Sequence, residues 1–235
     1  MKKKIILASI ALIIVLGAIA YMAYGYYHKA TLKAQNPIIT MEIADYGTVK
    51  IELYPEMAPN TVRNFIKLIN EGYYNGLTFH RVEESLIQGG DKNGDGSGTT
   101  EYTIEGEFPE NGHKENTLSF ERGTLGLARA DYSIYYYYTG DTKYLTAGYN
   151  SGCTQFFITA EDCSENFDGY YCAFGKVIEG MDIIDQITKI ETVVETDEET
   201  GETEETTTPV NPPVITSMTV DTFGIKYKEP KKIAE

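Results

Sequence analysis

The sequence contains no tryptophan, and among its 235 residues there are only three cysteines and three histidines. No two cysteines form a Cys-x-x-Cys pair and the histidines are scattered, so a zinc site of normal ligand spacing is not supported. An odd number of cysteines also argues against a disulfide framework, although a bridge between Cys163 and Cys172 stays open in an oxidising compartment. The cysteines and histidines are Cys153, Cys163, Cys172, His28, His80 and His113.

Basic residues are also scarce, since 20 Lys and Arg stand against 35 Asp and Glu and give a formal net charge of −15. Proteins that bind nucleic acid usually present a basic face to the phosphates, so we expect no nucleic-acid partner. Part of the acidity is local, because eight acidic residues lie between Glu191 and Glu205. We interpret residues 191–209 as a solvated loop rich in Glu and Thr.

An uncharged stretch, Ile5–Tyr27, follows three lysines at positions 2 to 4. About twenty helical residues span the ~30 Å hydrocarbon core of a bilayer. The stretch therefore predicts a single-pass membrane anchor over residues 5–27, and the lysines place residues 1–4 in the cytoplasm and the remaining chain outside it. The small residues of Ala18-Ile19-Ala20 leave open a cleaved signal sequence instead, in which case the protein would be secreted.

The next part of the chain has clear hydrophobic periodicity. After a polar linker over residues 28–37, apolar residues alternate with polar ones on both sides of Asp45-Tyr46-Gly47, which predicts a β-hairpin. Apolar spacings of three and four predict an amphipathic helix over Asn60–Glu71 and a second over Met181–Thr188.

Most of the remaining chain consists of short β segments separated by glycine. Many strands with only two helices predict a mainly β fold, a closed antiparallel β-barrel that leaves no sheet edge open. Residues 131–151, which are rich in Tyr, and residues 191–209 are predicted insertions in a domain spanning residues 38–226, followed by a tail over 227–235. The predicted strands are residues 77–82, 124–128, 155–159, 171–177 and 214–223.

Three motifs occur in a fixed order. They are Phe79-His80-Arg81-Val82 with Gln88-Gly89-Gly90-Asp91, then Gln155-Phe156-Phe157-Ile158, then Phe167-Asp168-Gly169 with Phe174-Gly175-Lys176-Val177. Each is weak alone, but the ordered set resembles the cyclophilin family of peptidyl-prolyl cis/trans isomerases from about Ile38 to Phe223. The resemblance implies a closed eight-stranded barrel capped by two helices. It also implies isomerisation of X–Pro bonds without a cofactor or metal, by a monomer that binds unfolded or proline-containing polypeptides.

The same resemblance implies roles for individual residues. Arg81 would donate hydrogen bonds toward the prolyl carbonyl and nitrogen, Gln88 would orient Arg81, and Phe157 would form the floor of the proline pocket. His80 precedes Arg81 on a strand, so its side chain is expected to point the other way. The residues expected to contact substrate are His80, Leu86, Ala128, Arg129, Gln155, Phe167 and Tyr171.

Several positions depart from the family pattern. The segment between Arg81 and Gln88 is one residue short, and Ser85 stands nearest to the place of a pocket Phe. Asn166 replaces a Trp linked to cyclosporin binding, so weak sensitivity to that drug is expected. Tyr171 replaces a His, and Arg129 replaces an Asn that acts through its main chain.

Two features of the sequence suggest functions other than catalysis. The shortened segment favours a chaperone or scaffold module that binds proline peptides without catalysis, whereas the retained Arg81 and Gln88 favour an enzyme. Asp91-x-Asn93-x-Asp95-Gly96 imitates the start of an EF-hand loop, but position twelve is Tyr102 and no helix pair flanks it, so calcium binding is not expected.

Overall fold

The computed structural model describes residues 14–24, 35–98, 101–196 and 203–234. Contacts divide the chain into two units, Met1–Gln35 and Asn36–Glu235. In the first unit, residues 14–24 are helical with exposed side chains. The predicted cytoplasmic segment, most of the polar linker and both ends of the predicted anchor lie outside the described residues.

The prediction of a single-pass membrane anchor was wrong. In the described part of the chain, no helix has both the length and the apolar character to cross a membrane.

The second unit is built around one antiparallel sheet of eight strands in the order β11-β1-β2-β8-β6-β7-β4-β3. The prediction of a closed barrel was wrong, because the ladder is open between β11 and β3. One isolated bridge, between Thr78 and Val214, links these two edges. The strands of the unit are β1 (Ile38–Ile43), β2 (Gly47–Leu53), β3 (Thr78–Val82), β4 (Leu86–Asp91), β5 (Tyr102–Thr103), β6 (Thr124–Leu127), β7 (Phe156–Thr159), β8 (Cys172–Glu179), β9 (Thr192–Thr196), β10 (Thr203–Pro209), β11 (Ile215–Asp221) and β12 (Ile233–Ala234).

The first hairpin shows how the sequence pattern forms the core. Ile39, Met41 and Ile43 on β1 are buried, and so are Val49, Ile51 and Leu53 on β2, while the residues between them are at least partly exposed. Because side chains alternate between the two faces of a strand, each strand buries one apolar row. The predicted hairpin is confirmed, with Ile43 paired to Gly47 across the turn.

Five α-helices accompany the sheet. The two predicted helices are confirmed as α1 (Pro59–Asn70) and α5 (Met181–Ile187). The Tyr-rich insertion, for which no helix was predicted, forms α2 (Ser133–Thr139) and α3 (Lys143–Tyr149), and α4 is the short helix Ser164–Phe167.

The acidic segment and the C-terminal tail are more ordered than expected. Residues interpreted as a solvated loop form the antiparallel pair β9–β10, and β10 lies beside β3. In the tail, β12 pairs with β5, and the main chain of Lys231 exchanges two hydrogen bonds with the side chain of Asn60. The tail is thereby joined to the start of α1.

The N-terminus of α1 is capped by a carboxylate from a distant part of the chain. Glu107 is 4% exposed and accepts hydrogen bonds from the backbone N–H groups of Asn60 and Thr61 at 2.7 to 2.9 Å, and from the Thr61 hydroxyl at 2.9 Å. A carboxylate there satisfies N–H groups that lack partners within the helix, and it also interacts favourably with the helix dipole. Glu107 therefore fixes α1 to the loop that follows β5.

We predict that Glu107→Gln lowers the free energy of unfolding by about 1–3 kcal/mol, because buried N–H groups lose a charged acceptor. Urea titration of the full chain measures the change. Glu179→Gln is the matched control, since Glu179 forms a surface ion pair with Lys50 at 2.8 Å. Glu179→Gln should lower the free energy of unfolding by less than about 1 kcal/mol. Equal effects of the two substitutions would contradict the capping role.

Candidate active site

A row of paired residues crosses five neighbouring strands of the sheet. Arg81 on β3 pairs with Gln88 on β4, and Gln88 pairs with Phe157 on β7. The row continues from Phe157 to Gly126 on β6, and from Gly126 to Ala173 on β8. Directly paired residues project from the same face of a sheet, so the register brings these positions together on one face.

A chain of hydrogen bonds runs along one side of this row. Arg81 donates through Nη1 to Gln88 Oε1 at 3.1 Å, and Gln88 donates through Nε2 to Gln155 Oε1 at 2.9 Å. Gln155 in turn donates to the carbonyl oxygens of Gly96 at 3.0 Å and Gly98 at 3.3 Å. Arg81 is therefore connected to the loop after β4 through two glutamines, whose amide orientations are fixed by this network.

Glu83 holds the other side of the Arg81 guanidinium. Its Oε1 accepts from Arg81 Nε at 2.7 Å and lies 2.5 Å from Nη2. The Arg81 side chain remains 43% exposed. Sequence reasoning missed Glu83, which lies one residue beyond β3, although a carboxylate two residues after an Arg in an extended segment could have indicated it, because such residues share a face.

A β-bulge at His80 explains why Arg81 faces the site. Phe79 pairs with Gly89 and Arg81 pairs with Gln88, so His80 is an extra residue without a partner of its own. In a regular strand Phe79 and Arg81 would share a face, but Phe79 is buried in the core and Arg81 is not. His80 is buried at this bulge, and a Cβ added at Gly96, in the loop that Gln155 contacts, would lie 3.7 Å from its Nε2.

The residues expected to line the proline pocket form one apolar cluster, separate from the main core. Phe157 is 4% exposed, and its ring packs edge-on against Phe167 at 5.4 Å and Tyr171 at 5.8 Å between centroids. Leu86 and Ala128 belong to the same cluster. The neighbouring Phe156 points into the main core instead. The structure thus brings Leu86, Ala128, Phe157, Phe167 and Tyr171 together.

Phe120 is a member of this cluster that sequence reasoning missed. It is fully buried and stacks on Phe157 with ring centroids 5.4 Å apart and planes 18° apart. Gly126 makes room for the pair, because a Cβ there would lie 2.4 Å from Phe157 and 2.6 Å from Phe120. Phe120 lies before a strand and outside every motif, so no sequence signal pointed to it.

Ser85 lies next to a buried cysteine at this part of the structure. The Ser85 carbonyl accepts the backbone N–H of Ala160 at 2.7 Å, and the Cys163 thiol lies 3.8 Å from the same oxygen. Cys163 and Cys172 are both free, buried thiols, so the disulfide left open between them is not formed. Burial raises the pKa of Cys172 to about 12.

Arg129 lies beside the cluster and is held by aromatic rings. Its guanidinium lies 4.4 Å from the ring centroid of Tyr171 and 5.1 Å from that of Tyr149, and it donates to the carbonyl oxygens of Tyr170 and Ala130 at 2.9 Å. Such contacts fix a cation over aromatic faces. A cavity of about 300 Å³ opens next to it, lined among others by Gln88, Gln155, Ala128 and Arg129.

The motif that imitates an EF-hand has a structural role in the loop after β4. Asp91 is 1% exposed, and its carboxylate accepts the backbone N–H groups of Asn93, Asp95 and Gly96 at 2.7 to 3.3 Å. Within the described residues, no three His, Cys, Asp or Glu side chains are grouped to hold a metal ion. The carboxylate therefore shapes the loop that Gln155 contacts.

Burial lowers the pKa of His80, an effect that Arg81 reinforces and the carboxylates of Asp91 and Asp95 oppose. The Gln155 side chain also opposes the lowering of this pKa, although neither His80 ring nitrogen lies in good hydrogen-bond geometry with a partner among the described residues. The unfolded chain, with an ordinary His pKa near 6.5, therefore takes up a proton at a higher pH than the folded chain does. Stability linked to His80 is complete at neutral pH and is lost as the pH falls below about 6.5.

We predict that the free energy of unfolding decreases more between about pH 7.5 and pH 5.5 in the wild type than in His80→Gln. Denaturant titrations at each pH measure this difference in slope, and the other two histidines are common to both proteins. Identical slopes in the two proteins would show that His80 does not titrate differently on folding.

Comparison with known proteins places this geometry in a family. The profile described as cyclophilin type peptidyl-prolyl cis-trans isomerase/CLD matches residues 38–220. Peptidyl-prolyl cis-trans isomerase B of Bacillus subtilis is 39% identical over 141 residues, which cover 60% of this chain and 82% of the relative. A probable peptidyl-prolyl cis-trans isomerase of Brucella suis is 34% identical over 188 residues, which cover 74% of this chain and 84% of the relative.

A solved structure agrees with these relatives. The crystal structure of a Cryptosporidium parvum cyclophilin type peptidyl-prolyl cis-trans isomerase, determined in the presence of the dipeptide Ala-Pro, is 25% identical with a TM-score of 0.57. The similarity covers 78% of this chain and 98% of that one. The family match covers well over half of the chain, including β1 to β8 and the whole row from Arg81 to Ala173. This chain belongs to the cyclophilin-type peptidyl-prolyl cis-trans isomerase family.

Proposed function

We propose that the chain accelerates cis/trans isomerisation of X–Pro bonds in unfolded or proline-containing polypeptides, with Arg81 as the group that acts on the amide. The observation that carries the proposal is the way in which the guanidinium is held. Glu83 and Gln88 engage three of its five N–H groups, so two remain for a substrate on a side chain that is 43% exposed.

The physical task is to weaken amide resonance, which sets a rotation barrier of about 18–20 kcal/mol. A donor aimed at the prolyl nitrogen stabilises the twisted amide, because the nitrogen lone pair becomes a good acceptor only when it leaves conjugation. Each tenfold acceleration requires about 1.4 kcal/mol of binding that is stronger in the transition state than in the ground state. No covalent step or cofactor is needed.

The rest of the site supplies binding and orientation. Phe157, with Leu86 and Phe167 beside it, offers an apolar surface to the proline ring next to Arg81. Gln155 lies one hydrogen bond from Gln88 and is placed to contact the substrate backbone near Ala128. Because Gln88 bonds both Arg81 and Gln155, we assign it a positioning role.

We further propose that the cellular role is to assist folding, since isomerisation of X–Pro bonds takes tens to hundreds of seconds unaided and limits folding rates. All the proposed site residues come from one chain, which supports a monomer as the acting unit. The shortened segment before Gln88 favours a second candidate role, in which the domain binds proline peptides without accelerating isomerisation.

We predict that Arg81→Ala lowers kcat/KM for a proline-containing tetrapeptide about 100-fold, the usual cost of removing a donor that stabilises a transition state. Isomerisation is followed in the full chain by a protease-coupled assay or by exchange NMR. The matched control is Arg63→Ala, which removes an arginine from α1 and should leave kcat/KM within about twofold of the wild type.

Unfolding curves of both variants must first show that they are folded. A folded wild-type protein that binds the peptide without accelerating its isomerisation would support the binding module. Acceleration that survives Arg81→Ala would contradict the role of Arg81 while leaving the enzyme in place.

A further inference from the structure

The Tyr-rich insertion lies next to the proline site and encloses a second cavity. The helices α2 and α3 contact each other, and Tyr135 on α2 stacks on Tyr144 on α3 with ring centroids 5.6 Å apart. Between α3 and the segment around α4 lies a cavity of about 550 Å³. Its lining includes Tyr132, Tyr144, Tyr149 and Tyr170.

This cavity adjoins the site already described. Phe167 and Tyr171 line it and also belong to the apolar cluster around Phe157. Arg129 and Tyr132 line both this cavity and the smaller one beside Gln155. A peptide with its proline on Phe157 therefore has two cavities within reach, one on each side of Arg129.

The charge of the second cavity is set by three groups. Glu110 and Asp131 are exposed carboxylates, and neither forms an ion pair within the described residues. Hydrogen bonding from the backbone of Ser133 lowers the pKa of Asp131, so this carboxylate stays ionised. Arg129 is the third group, and it attracts Asp131, so two carboxylates stand against one guanidinium in the lining. The cavity therefore combines tyrosine faces with an excess of negative charge.

We propose that this cavity is a specificity subsite for a Lys or Arg side chain that lies close to the proline in a client polypeptide. The inference rests on the proposed isomerase function and names a preference of the same site. Tyrosine faces attract cations, as the Lys143 ammonium 4.9 Å from the ring centroid of Tyr144 illustrates, although that ring is already engaged by Lys143 and by stacking on Tyr135. The two carboxylates supply the opposite charge, and Tyr170, which is 48% exposed, supplies a further aromatic face.

Long-range electrostatics favours the same class of client. Residues 36–235 contain 15 basic and 35 acidic residues, a formal charge of −20. The pair β9–β10, which carries Glu195, Glu204 and Glu205, lies beside the strand of Arg81. A field of this sign raises the rate at which basic peptides arrive and lowers it for acidic ones.

The test compares isomerisation of matched proline peptides by the full chain. In each peptide one position within three residues of the proline, on either side, is Lys, Gln or Glu, and the rest is constant. We expect kcat/KM for Lys to exceed that for Gln by about fivefold at one or two positions, the sum of an exposed cation–π contact and a weak ion pair. The preference should shrink at high salt.

The variant Glu110→Gln/Asp131→Asn tests the assignment to this cavity. Asn can still accept the Ser133 N–H that Asp131 accepts at 2.9 Å, so the start of α2 is kept. We expect the Lys preference to disappear while kcat/KM for the Gln peptides is unchanged. The matched control is Asp141→Asn, in the same insertion but outside the lining of the cavity, and it should keep the preference.

Equal kcat/KM for Lys and Gln peptides at every position would overturn the proposal. A preference that survives in Glu110→Gln/Asp131→Asn would overturn it as well, by placing the recognition of charge elsewhere. Either result leaves the isomerase function intact as long as the Gln peptides are turned over in an Arg81-dependent way, so failure of the subsite and failure of the enzyme are distinguishable.

Discussion

The site depends on the register of β3, β4 and β7. This register places Arg81 opposite Gln88 and Gln88 opposite Phe157, so a cation, an amide and an apolar surface lie side by side on one face. A shift of one residue in any of these pairings would turn the side chains to the other face. The bulge at His80 is part of the same constraint, because it lets Phe79 enter the core while Arg81 leaves it.

The main core and the candidate site lie on opposite faces of the sheet. One face buries the main core, with Phe156 and Ile158 on β7, and the other carries the smaller cluster around Phe157 and Phe120. The polar chain from Arg81 through Gln88 and Gln155 ends on the loop that Asp91 shapes. Rigid strands thus hold the groups that touch substrate, while loops and the Tyr-rich insertion surround them.

Local patterns predicted much of the fold and part of the site. The alternation around Asp45 predicted the first hairpin, and the ordered motifs predicted that Leu86, Phe157 and Tyr171 would meet. Long-range features were missed, because no local signal pairs Glu107 with the start of α1 or Phe120 with Phe157. The alternation of side chains between the two faces of a regular strand does not hold at His80. A bulge there depends on how both strands pair, so the sequence of one strand does not predict it. Hydrophobicity of the N-terminal stretch suggested a membrane span that the described residues do not provide.

If Gln88 acts on catalysis by positioning Arg81, the two side chains are energetically coupled, and a double-mutant cycle measures this coupling. The kcat/KM for one proline peptide is measured for the wild type, Arg81→Lys, Gln88→Ala and the double variant. If Gln88 acts by positioning the guanidinium, the double variant should be about as slow as Arg81→Lys alone, with a coupling energy of roughly 1 kcal/mol or more. Additive effects of the two substitutions would contradict the account, because they would mean that the 3.1 Å hydrogen bond between these side chains does not contribute to catalysis.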